Sequence, residues 1–398
     1  MSFTPCLSLA EVYGPQVIYL IRSSWRQYDF LRRGDESIRD GFTGVLLPII
    51  GEGTPLCSAG TYRPDGLELL RVAGVAVPEQ PILYRGAEDY AATLSTLVQS
   101  GTTLAIQHVY PPDEIPAEAY WIPPTLLSDL NDKANLTRFV PPECCPPRRV
   151  VPIETATGLR LGPGETLVIK GSTPRSTGAG GAVVMARTDQ QLRSLPTRLA
   201  GCGQVVVEEY QPFVRTMCVT WAATTEGDIH YVGSADQVVD EDGAFHGSWM
   251  GPSLGAPEAA VGLGRAIMTA AVELGYVGFA GFDMGVLPDG AILVFDLNFR
   301  LCSSTPALLC LPLLEERHPE GYLARLANFR SQRPYQEMCR SALEAVSRGI
   351  LLPISSFDPA LAGWPDRLPS LRGLVVGRDR AETEARCEAM RLAGFEFS

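Results

Sequence analysis

Two aspartates and an asparagine near residue 290 have the spacing of a metal site. Asp289 and Gly290 lie between two alternating apolar runs, which predicts a hairpin with a two-residue loop. This loop would place Asp283 directly opposite Asp296, with Asn298 on the same face of the ribbon. Two facing carboxylates repel each other, and oxygen donors of this kind suit Mg²⁺, with Mn²⁺ as an alternative. A solvated aspartate pair at a sheet edge is the competing interpretation.

Strict alternation divides the same hairpin into a polar and an apolar face. If the second strand continues, Arg300 joins the polar face, where its fork could grip a transferring phosphoryl group or an acyl-phosphate oxygen. Taken alone, an arginine is more often a surface residue. The opposite face is predicted to be apolar throughout and to contain Phe282, Met284, Leu293, Phe295, Leu297 and Phe299.

Lysine is rare in this chain. Of the 33 basic residues only Lys133 and Lys170 are lysines, so arginine serves wherever a generic cation suffices. Lys170 ends the apolar run TLVIK and precedes a glycine-rich turn, in which Gly178, Gly180 and Gly181 permit positive φ and expose backbone N–H groups. A strand, a glycine-rich turn and a returning strand predict a flap that closes over phosphate oxygens, next to the compact charge of a lysine.

Two further segments carry candidate binding residues. The strand VVVEEY is broken by Pro212, and its free backbone groups could read the edge of an adenine ring, with Glu208 and Glu209 as acceptors for the exocyclic amine. The alternative is a core strand with two glutamates at its exposed end. His246 lies in a loop rich in glycine and acidic residues, which is either a cover for a substrate or an ordinary surface loop.

Composition limits the class of protein. The 398 residues are 45% apolar and 20% charged, which is typical of globular chains long enough for two or three domains. A net charge of -12 and a pI near 5.0 argue against nucleic acid as a partner. No apolar run reaches the roughly 18 residues that span a bilayer. We therefore expect a cytoplasmic protein that binds small molecules and has neither a nucleic acid nor a membrane as a partner.

The elements that must position these residues are of mixed α/β type. Short apolar runs alternating with helical stretches predict a largely parallel N-terminal α/β domain at residues 1–125. Proline-rich stretches follow and indicate a domain boundary. The two glycine-containing hairpins then fall in a central domain at residues 126–325. The last segment reads strand, helix, strand and predicts a small C-terminal domain at residues 326–398.

In chain order, LNDKANLTRF, LVIKGSTPRSTGAGGAVV, VVVEEYQPF and GFAGFDMGVLPDGAILVFDLNFR resemble the ATP-grasp ligases over roughly residues 126 to 312. The resemblance implies a pre-ATP-grasp domain, a two-lobed grasp domain and a small C-terminal domain. It assigns the ATP phosphates to Lys133 and Lys170 on two strands, and the closing flap to residues 171–182.

The remaining roles also follow from the resemblance. Adenine would be held by Glu208, Glu209 and the backbone near Tyr210 and Gln211. One or two Mg²⁺ ions would be bound by Asp283, Asp296 and Asn298, and Arg300, with Lys170, would stabilise the transferred phosphoryl group. Val214 and Arg215 stand where many relatives carry an acidic residue for ribose, and Gly281 stands where D-alanine:D-alanine ligases carry an arginine.

The flanking regions look most like pheganomycin-type peptide ligases of natural-product biosynthesis. The resemblance implies an ATP-dependent carboxylate–amine ligase that works through an acyl phosphate and releases ADP and phosphate. Its substrates would be a small carboxylic acid or amino acid, and an amine, amino acid or peptide. A non-catalytic ATP-binding module and a carboxylase-type grasp enzyme remain as alternatives, and a homodimer remains open.

Overall fold

A computed structural model describes residues 5, 7–26, 36–172, 183–240, 243 and 245–397. Within them the strands are β1 (Ile18–Leu20), β2 (Leu56–Ser58), β3 (Ile82–Tyr84), β4 (Leu104–Ile106), β5 (Arg148–Pro152), β6 (Leu167–Ser172), β7 (Val183–Ala186), β8 (Gln204–Glu209), β9 (Arg215–Ala223), β10 (Ile229–Val239), β11 (Phe245–Met250), β12 (Gly278–Val286), β13 (Ile292–Asn298), β14 (Leu323–Arg330), β15 (Leu351–Phe357), β16 (Ser370–Gly377) and β17 (Glu396–Phe397).

The α-helices of the same residues are α1 (Leu9–Tyr13), α2 (Glu36–Phe42), α3 (Pro64–Val72), α4 (Gly86–Gln99), α5 (Pro124–Asn131), α6 (Ile153–Thr157), α7 (Asp189–Arg193), α8 (Leu195–Arg198), α9 (Glu258–Glu273), α10 (Thr305–Arg317), α11 (Tyr335–Ser347) and α12 (Arg380–Leu392). None of them is both long and apolar enough to cross a membrane.

A large antiparallel sheet forms the body of the protein. Its strand order is β13-β12-β9-β10-β11-β14-β16-β15, and β17 adds to β14. One apolar core joins β9, β12 and β13 to α9 and contains Trp221, Ile267, Phe282 and Phe299. These strands alternate because one face must be buried under the helix, which leaves the other face for polar side chains.

A smaller antiparallel sheet, in the order β5-β8-β6-β7, carries its own core against α6, α7 and α8. Val205 and Val207 on β8 and Ile169 on β6 are buried in that core. The alternation on β6 then sends Lys170 to the opposite side, toward the large sheet. Two sheets that face each other across such side chains form a cleft.

The N-terminal segment has the predicted parallel pairing, in two short sheets. β1 pairs with β4 and β2 pairs with β3, both parallel. Trp121 Nε1 donates to Val277 O at 2.7 Å, and Phe279 N donates to the Tyr13 hydroxyl at 3.2 Å, so this segment is fastened to β12. The mixed α/β fold class is confirmed. The division at residues 125 and 325 stays a proposal, and the large sheet runs continuously through β14 into β16 and β15.

The hairpin between β12 and β13 differs from the sequence prediction in two ways. Leu287 N donates to Ala291 O at 2.8 Å and Gly290 N to Leu287 O at 2.9 Å, so the loop has three residues rather than two. Near the loop the strands pair one position out of the predicted register, with Val286 opposite Ile292. A β-bulge between Asp283 and Met284 then restores the register.

Because of the bulge, the apolar face of the hairpin differs from the predicted one. Val294, opposite Met284, lies in the core with Phe282 and Leu297, whereas Leu293 and Phe295 do not belong to that core. The ring of Phe295 instead stacks on Phe213 with 5.5 Å between centroids. Strict alternation failed here because the extra residue of a bulge reverses the faces of the residues that follow it.

Candidate active site

Asp283 and Asp296 are direct cross-strand partners on β12 and β13, as predicted, and Asn298 lies beside them. The Asn298 amide donates to Asp283 Oδ2 at 3.1 Å, and Gln237 Nε2 of β10 donates to Asp283 Oδ1 at 2.8 Å. The amide nitrogens thus hold one carboxylate in place, while the amide oxygen of Asn298 stays available as an oxygen ligand.

The two carboxylates are electrostatically unequal. Burial raises the pKa of Asp283 to about 6, and the negative charge of Asp296 adds to this rise. Burial also opposes ionisation of Asp296, but the charges of Lys133 and Lys170 hold its pKa below the usual range. When the pKa values of two neighbouring carboxyl groups differ in this way, a bound cation is favoured, because a cation would let both groups ionise.

Lys133 supplies a cation to this pair in the structure. Its Nζ lies 2.6 Å from both Asp296 oxygens, in an ion pair whose side chains are 13% and 20% exposed. Lys133 begins a 3-10 helix at Lys133–Arg138, so the expectation that both lysines lie on strands holds only for Lys170. The Asp132 side chain caps this 3-10 helix by accepting from Ala134 N at 3.0 Å.

Lys170 connects the two sheets. Its Nζ donates to Phe295 O at 2.5 Å and lies 2.7 Å from Glu208 Oε2, on the neighbouring strand β8. The same ammonium lies 5.5 Å from the centroid of the Phe295 ring. Arg148 Nη1 lies 3.4 Å from the other oxygen of Glu208. Glu208 is therefore a buried partner of two cations, and its carboxylate is not at an exposed strand end.

Arg300 follows β13 and lies at the edge of this cleft. Its Nη1 donates to Asn131 Oδ1 at 3.1 Å, and that oxygen also accepts from Phe299 N at 3.1 Å. Asn131 is the last residue of α5, so this helix, which precedes β5 in the chain, holds the Arg300 side chain in place. No carboxylate lies within 4 Å of this guanidinium among the described residues.

The predicted adenine residues lie where β8 ends. Glu209 and Tyr210 are exposed, Tyr210 to 49%, and Gln211 is partly exposed. Phe213 follows them and packs between Phe295 and Gly285, where any Cβ would come within 2.2 Å of its ring. These side chains surround the outer end of the cleft and leave an apolar ring there.

The remaining predicted residues are three glycines of the flap and His246. Gly178, Gly180 and Gly181 lie outside the described residues. His246 on β11 is 53% exposed and its Nε2 lies 2.9 Å from Asp240 Oδ2, as in a surface pair. Sequence reasoning missed Gln237, Asn131 and Arg148, whose partners are distant in the chain. The contacts of Gln237 and Arg148 follow from strand order, and that of Asn131 follows from the packing of α5 beside the end of β13.

Two family models match the chain. The model for the ATP-grasp domain of the L-aspartate–L-methionine ligase matches residues 146–298, and the model for the N-terminal domain of the same ligase matches residues 8–128. The first range contains the hairpin carboxylates and Lys170. The chain belongs to the ATP-grasp ligases. Such a ligase takes a carboxylic acid and an amine as substrates and uses ATP to join them.

Solved structures share the fold of this ligase at low identity. An N5-carboxyaminoimidazole synthetase from Staphylococcus aureus complexed with ADP aligns over 98% of each chain, with 10% identity and a TM-score of 0.57. A biotin carboxylase from Campylobacter jejuni aligns over 96% of this chain and 92% of its own, with 14% identity and a TM-score of 0.55. An L-amino acid ligase from Bacillus licheniformis aligns over 80% and 89%, with 14% identity and a TM-score of 0.51.

Proposed function

We propose that this ligase joins the carboxylate of L-aspartate to the amine of L-methionine, through an acyl phosphate, and releases ADP and phosphate. The family models supply the two amino acids, since both describe an L-aspartate–L-methionine ligase. The observation that carries the mechanism is the pair Asp283 and Asp296, with Lys133 bonded to Asp296 and the charge of Lys170 also lowering the pKa of that carboxyl group.

The first step of the reaction needs positive charge around the γ-phosphate. A carboxylate oxygen of the acid attacks the γ-phosphorus, and the bond to the β–γ bridging oxygen breaks as ADP leaves. Lys133, Lys170 and Arg300 are the cations available to the developing charge. Glu208 and Phe295 O hold the Lys170 ammonium in position before the reaction begins. Little free energy is therefore needed to orient it during phosphoryl transfer.

The second step forms the amide bond. The neutral amine attacks the acyl carbon, the bond to the phosphate oxygen breaks, and the nitrogen loses a proton. Arg300 is the cation at the edge of the cleft that would stay on the transferred phosphate during this step, because Asn131 rather than a carboxylate holds its guanidinium.

The donor set at the hairpin fits a hard divalent cation. Within the described residues no group of three or more His, Cys, Asp or Glu side chains surrounds a metal position. At the hairpin itself the protein offers two carboxylates and one amide oxygen. Mg²⁺ commonly completes such a set with phosphate oxygens and water. Bound by Asp283, Asp296 and Asn298, Mg²⁺ would neutralise the β- and γ-phosphates of ATP.

The binding of adenine at the end of β8 belongs to the same proposal. The backbone near Tyr210 and Gln211 would meet the ring edge, with Phe213 and Phe295 against its face. Glu209 is exposed and free to accept from the exocyclic amine, whereas Glu208 is held by Lys170 and Arg148. The glycines of residues 171–182 would close over the phosphates.

The experiment is a product assay with purified protein, ATP and Mg²⁺. ADP and phosphate should appear only when L-aspartate and L-methionine are both present, together with one dipeptide per ADP by mass spectrometry. AMP and pyrophosphate as products would exclude the acyl-phosphate route. Tight ATP binding with no turnover over a broad panel of acids and amines would favour a non-catalytic module.

Two further arms separate the remaining alternatives. ADP release that depends on bicarbonate rather than on an amine would indicate a carboxylase-type enzyme, which is the activity class of some proteins that share the fold. A longer peptide as the preferred amine would contradict L-methionine as the second substrate and would favour the alternative role in peptide natural-product biosynthesis, as in pheganomycin-type enzymes. Preference for free L-methionine would contradict that alternative.

A further inference from the structure

Arg372 on β16 occupies an unusual position at the junction of the large sheet and the N-terminal segment. Its cross-strand partner on β14 is Asn328, whose Oδ1 accepts from Arg372 Nη1 at 2.5 Å. Arg372 Nη2 donates to Ser303 O at 2.6 Å and to Ser303 Oγ at 2.7 Å. The ring of Phe42, at the end of α2, lies 5.3 Å from the guanidinium carbon.

This guanidinium has no counter-ion in the described part of the chain. Among the residues with described positions, no carboxylate lies within 4 Å of it and no oxygen accepts from its buried Nε. Two other arginines with little exposed side chain are compensated, since Arg22 pairs with Asp40 and Glu36, and Arg148 pairs with Glu208. An uncompensated buried charge is expensive, and burial lowers the pKa of Arg372 to about 10. A protein that keeps such a charge has a use for it.

The position of Arg372 relative to Arg300 suggests what that use is. Ser303, which holds Arg372, is three residues after Arg300, so their Cα atoms are at most about 11 Å apart. Among the described residues Arg300 also has no carboxylate within 4 Å. The segment from Arg300 to Ser303 therefore carries one guanidinium without an ion pair at its start, beside the phosphoryl-transfer residues, and holds a second one at its end.

We propose that Arg372, oriented by Asn328 and Ser303, binds a carboxylate of an amino-acid substrate that does not react. This inference rests on the proposed ligase function and extends it to the substrate class, which is an amino acid with a second or free carboxylate. Two sources share this chemistry: the carboxylate of the acyl donor that is not activated, and the carboxylate of the amino acid that supplies the amine. A guanidinium is suited to either, because its charge strengthens a hydrogen bond to a carboxylate, and Nε and one hydrogen of Nη1 remain as donors.

The test replaces Arg372 by methionine and by lysine. Arg372→Met removes the charge with similar volume, while Arg372→Lys keeps a charge without the fork and carries the test if the methionine variant does not fold. We expect KM for one amino acid to rise ~10- to 100-fold, as for a lost hydrogen bond to a charged group, with KM for ATP unchanged. Arg317→Met is the matched control, since Arg317 also reaches the N-terminal segment through a carbonyl, Ala73 O at 2.6 Å, and lies at the far end of α10.

Uncharged analogues identify the source of the carboxylate. If the wild-type preference for L-aspartate over L-asparagine disappears in the variants, Arg372 binds the acyl donor. If the preference for L-methionine over L-methioninamide disappears, it binds the amine donor. If both preferences survive and both KM values stay within about twofold of wild type, or if KM for ATP rises equally, the proposal is overturned.

A binding measurement separates this proposal from the ligase function itself. L-Aspartate and L-methionine are titrated calorimetrically into the wild type and the two variants, each saturated with Mg²⁺ and a non-hydrolysable ATP analogue. Binding to the wild type that is lost in Arg372→Met supports the carboxylate site even if no dipeptide is ever formed. No binding of either amino acid to the wild type, or equal binding to the variants, overturns it.

Discussion

The ion pair of Lys133 and Asp296 gives the sharpest test of the site's electrostatics. Lys133→Met removes the cation that lies 2.6 Å from both Asp296 oxygens and leaves that carboxylate opposite Asp283. Breaking a buried pair on one side costs about 3–5 kcal/mol, and these side chains are 13% and 20% exposed, so we expect a loss of about 2–3 kcal/mol in the metal-free protein.

The assay is a double-mutant cycle in urea with Lys133→Met, Asp296→Asn and the double variant, in the absence of divalent metal. The double variant should recover most of the loss, because neither charge is then left alone. Lys133 and Lys170 depress the pKa of Asp296 against the effect of burial, so this coupling should be full above about pH 4 and should fall as the carboxylate protonates at lower pH.

Mg²⁺ provides the second readout of the same prediction. The ion should stabilise Lys133→Met more than the wild type, since it takes over the charge that Lys133 supplied. Arg138→Met is the control, because Arg138 lies on the same 3-10 helix and its ion pair with Asp129 is exposed, so its loss should change stability little. A coupling energy near zero, or an equal effect of Mg²⁺ on both proteins, would refute the electrostatic reasoning.

Three further predictions concern the same cleft. Lys170→Arg should keep the fold but lower kcat ~100-fold, because a wider fork cannot occupy a position set for an ammonium, and near-normal ADP release would remove Lys170 from the phosphate role. Gly281→Ala would place a methyl carbon 2.3 Å from Cys302 Sγ and 2.7 Å from Cys218 Sγ and should cost about 1–3 kcal/mol in urea unfolding, with only partial recovery in Gly281→Ala/Cys302→Ala, because the contact with Cys218 remains. The pKa of Asp283, raised to about 6 by burial and by Asp296, should make the metal-free protein less stable as pH rises through 6, since the stabilisation is complete only below about pH 4. Mg²⁺ should reverse this trend, and a thermal shift with Mg²⁺ that is equal at pH 5 and pH 8 would contradict it.

Local chemistry in the sequence predicts part of this site well. Asp-Gly between two alternating runs predicts a hairpin because Gly290 can take positive φ, and its φ is 88°. Facing positions on such a ribbon follow from the pleat, which is why Asp283 and Asp296 were paired correctly. The scarcity of lysine identified two residues that the structure brings to the same cleft, Lys133 in contact with Asp296 and Lys170 in contact with Phe295 O, the carbonyl next to Asp296.

Partners that depend on strand order could not be predicted in this way. Gln237 reaches Asp283 from β10, although β10 is separated from β12 by β9 in the sheet. Glu208 reads as an exposed strand end in the sequence, but β8 pairs with both β5 and β6, which bring Arg148 and Lys170 to its carboxylate. Alternation with a period of two shows which side chains share a face of a strand, but it does not show which strands lie next to that strand in the sheet.

The bulge at Phe295 affects the contacts of the candidate site, because it frees a carbonyl that a regular hairpin would pair. The predicted two-residue loop and the absence of a bulge were both wrong by one residue, and the two errors cancel at Asp283 and Asp296. The extra residue of a bulge is left out of the ladder, so its carbonyl is free to accept another donor. Phe295 O accepts from Lys170, which comes from the other sheet. A regular hairpin would keep the aspartate pair but would lose this link, so the lysine that crosses the cleft depends on the residue that the alternation pattern misplaces.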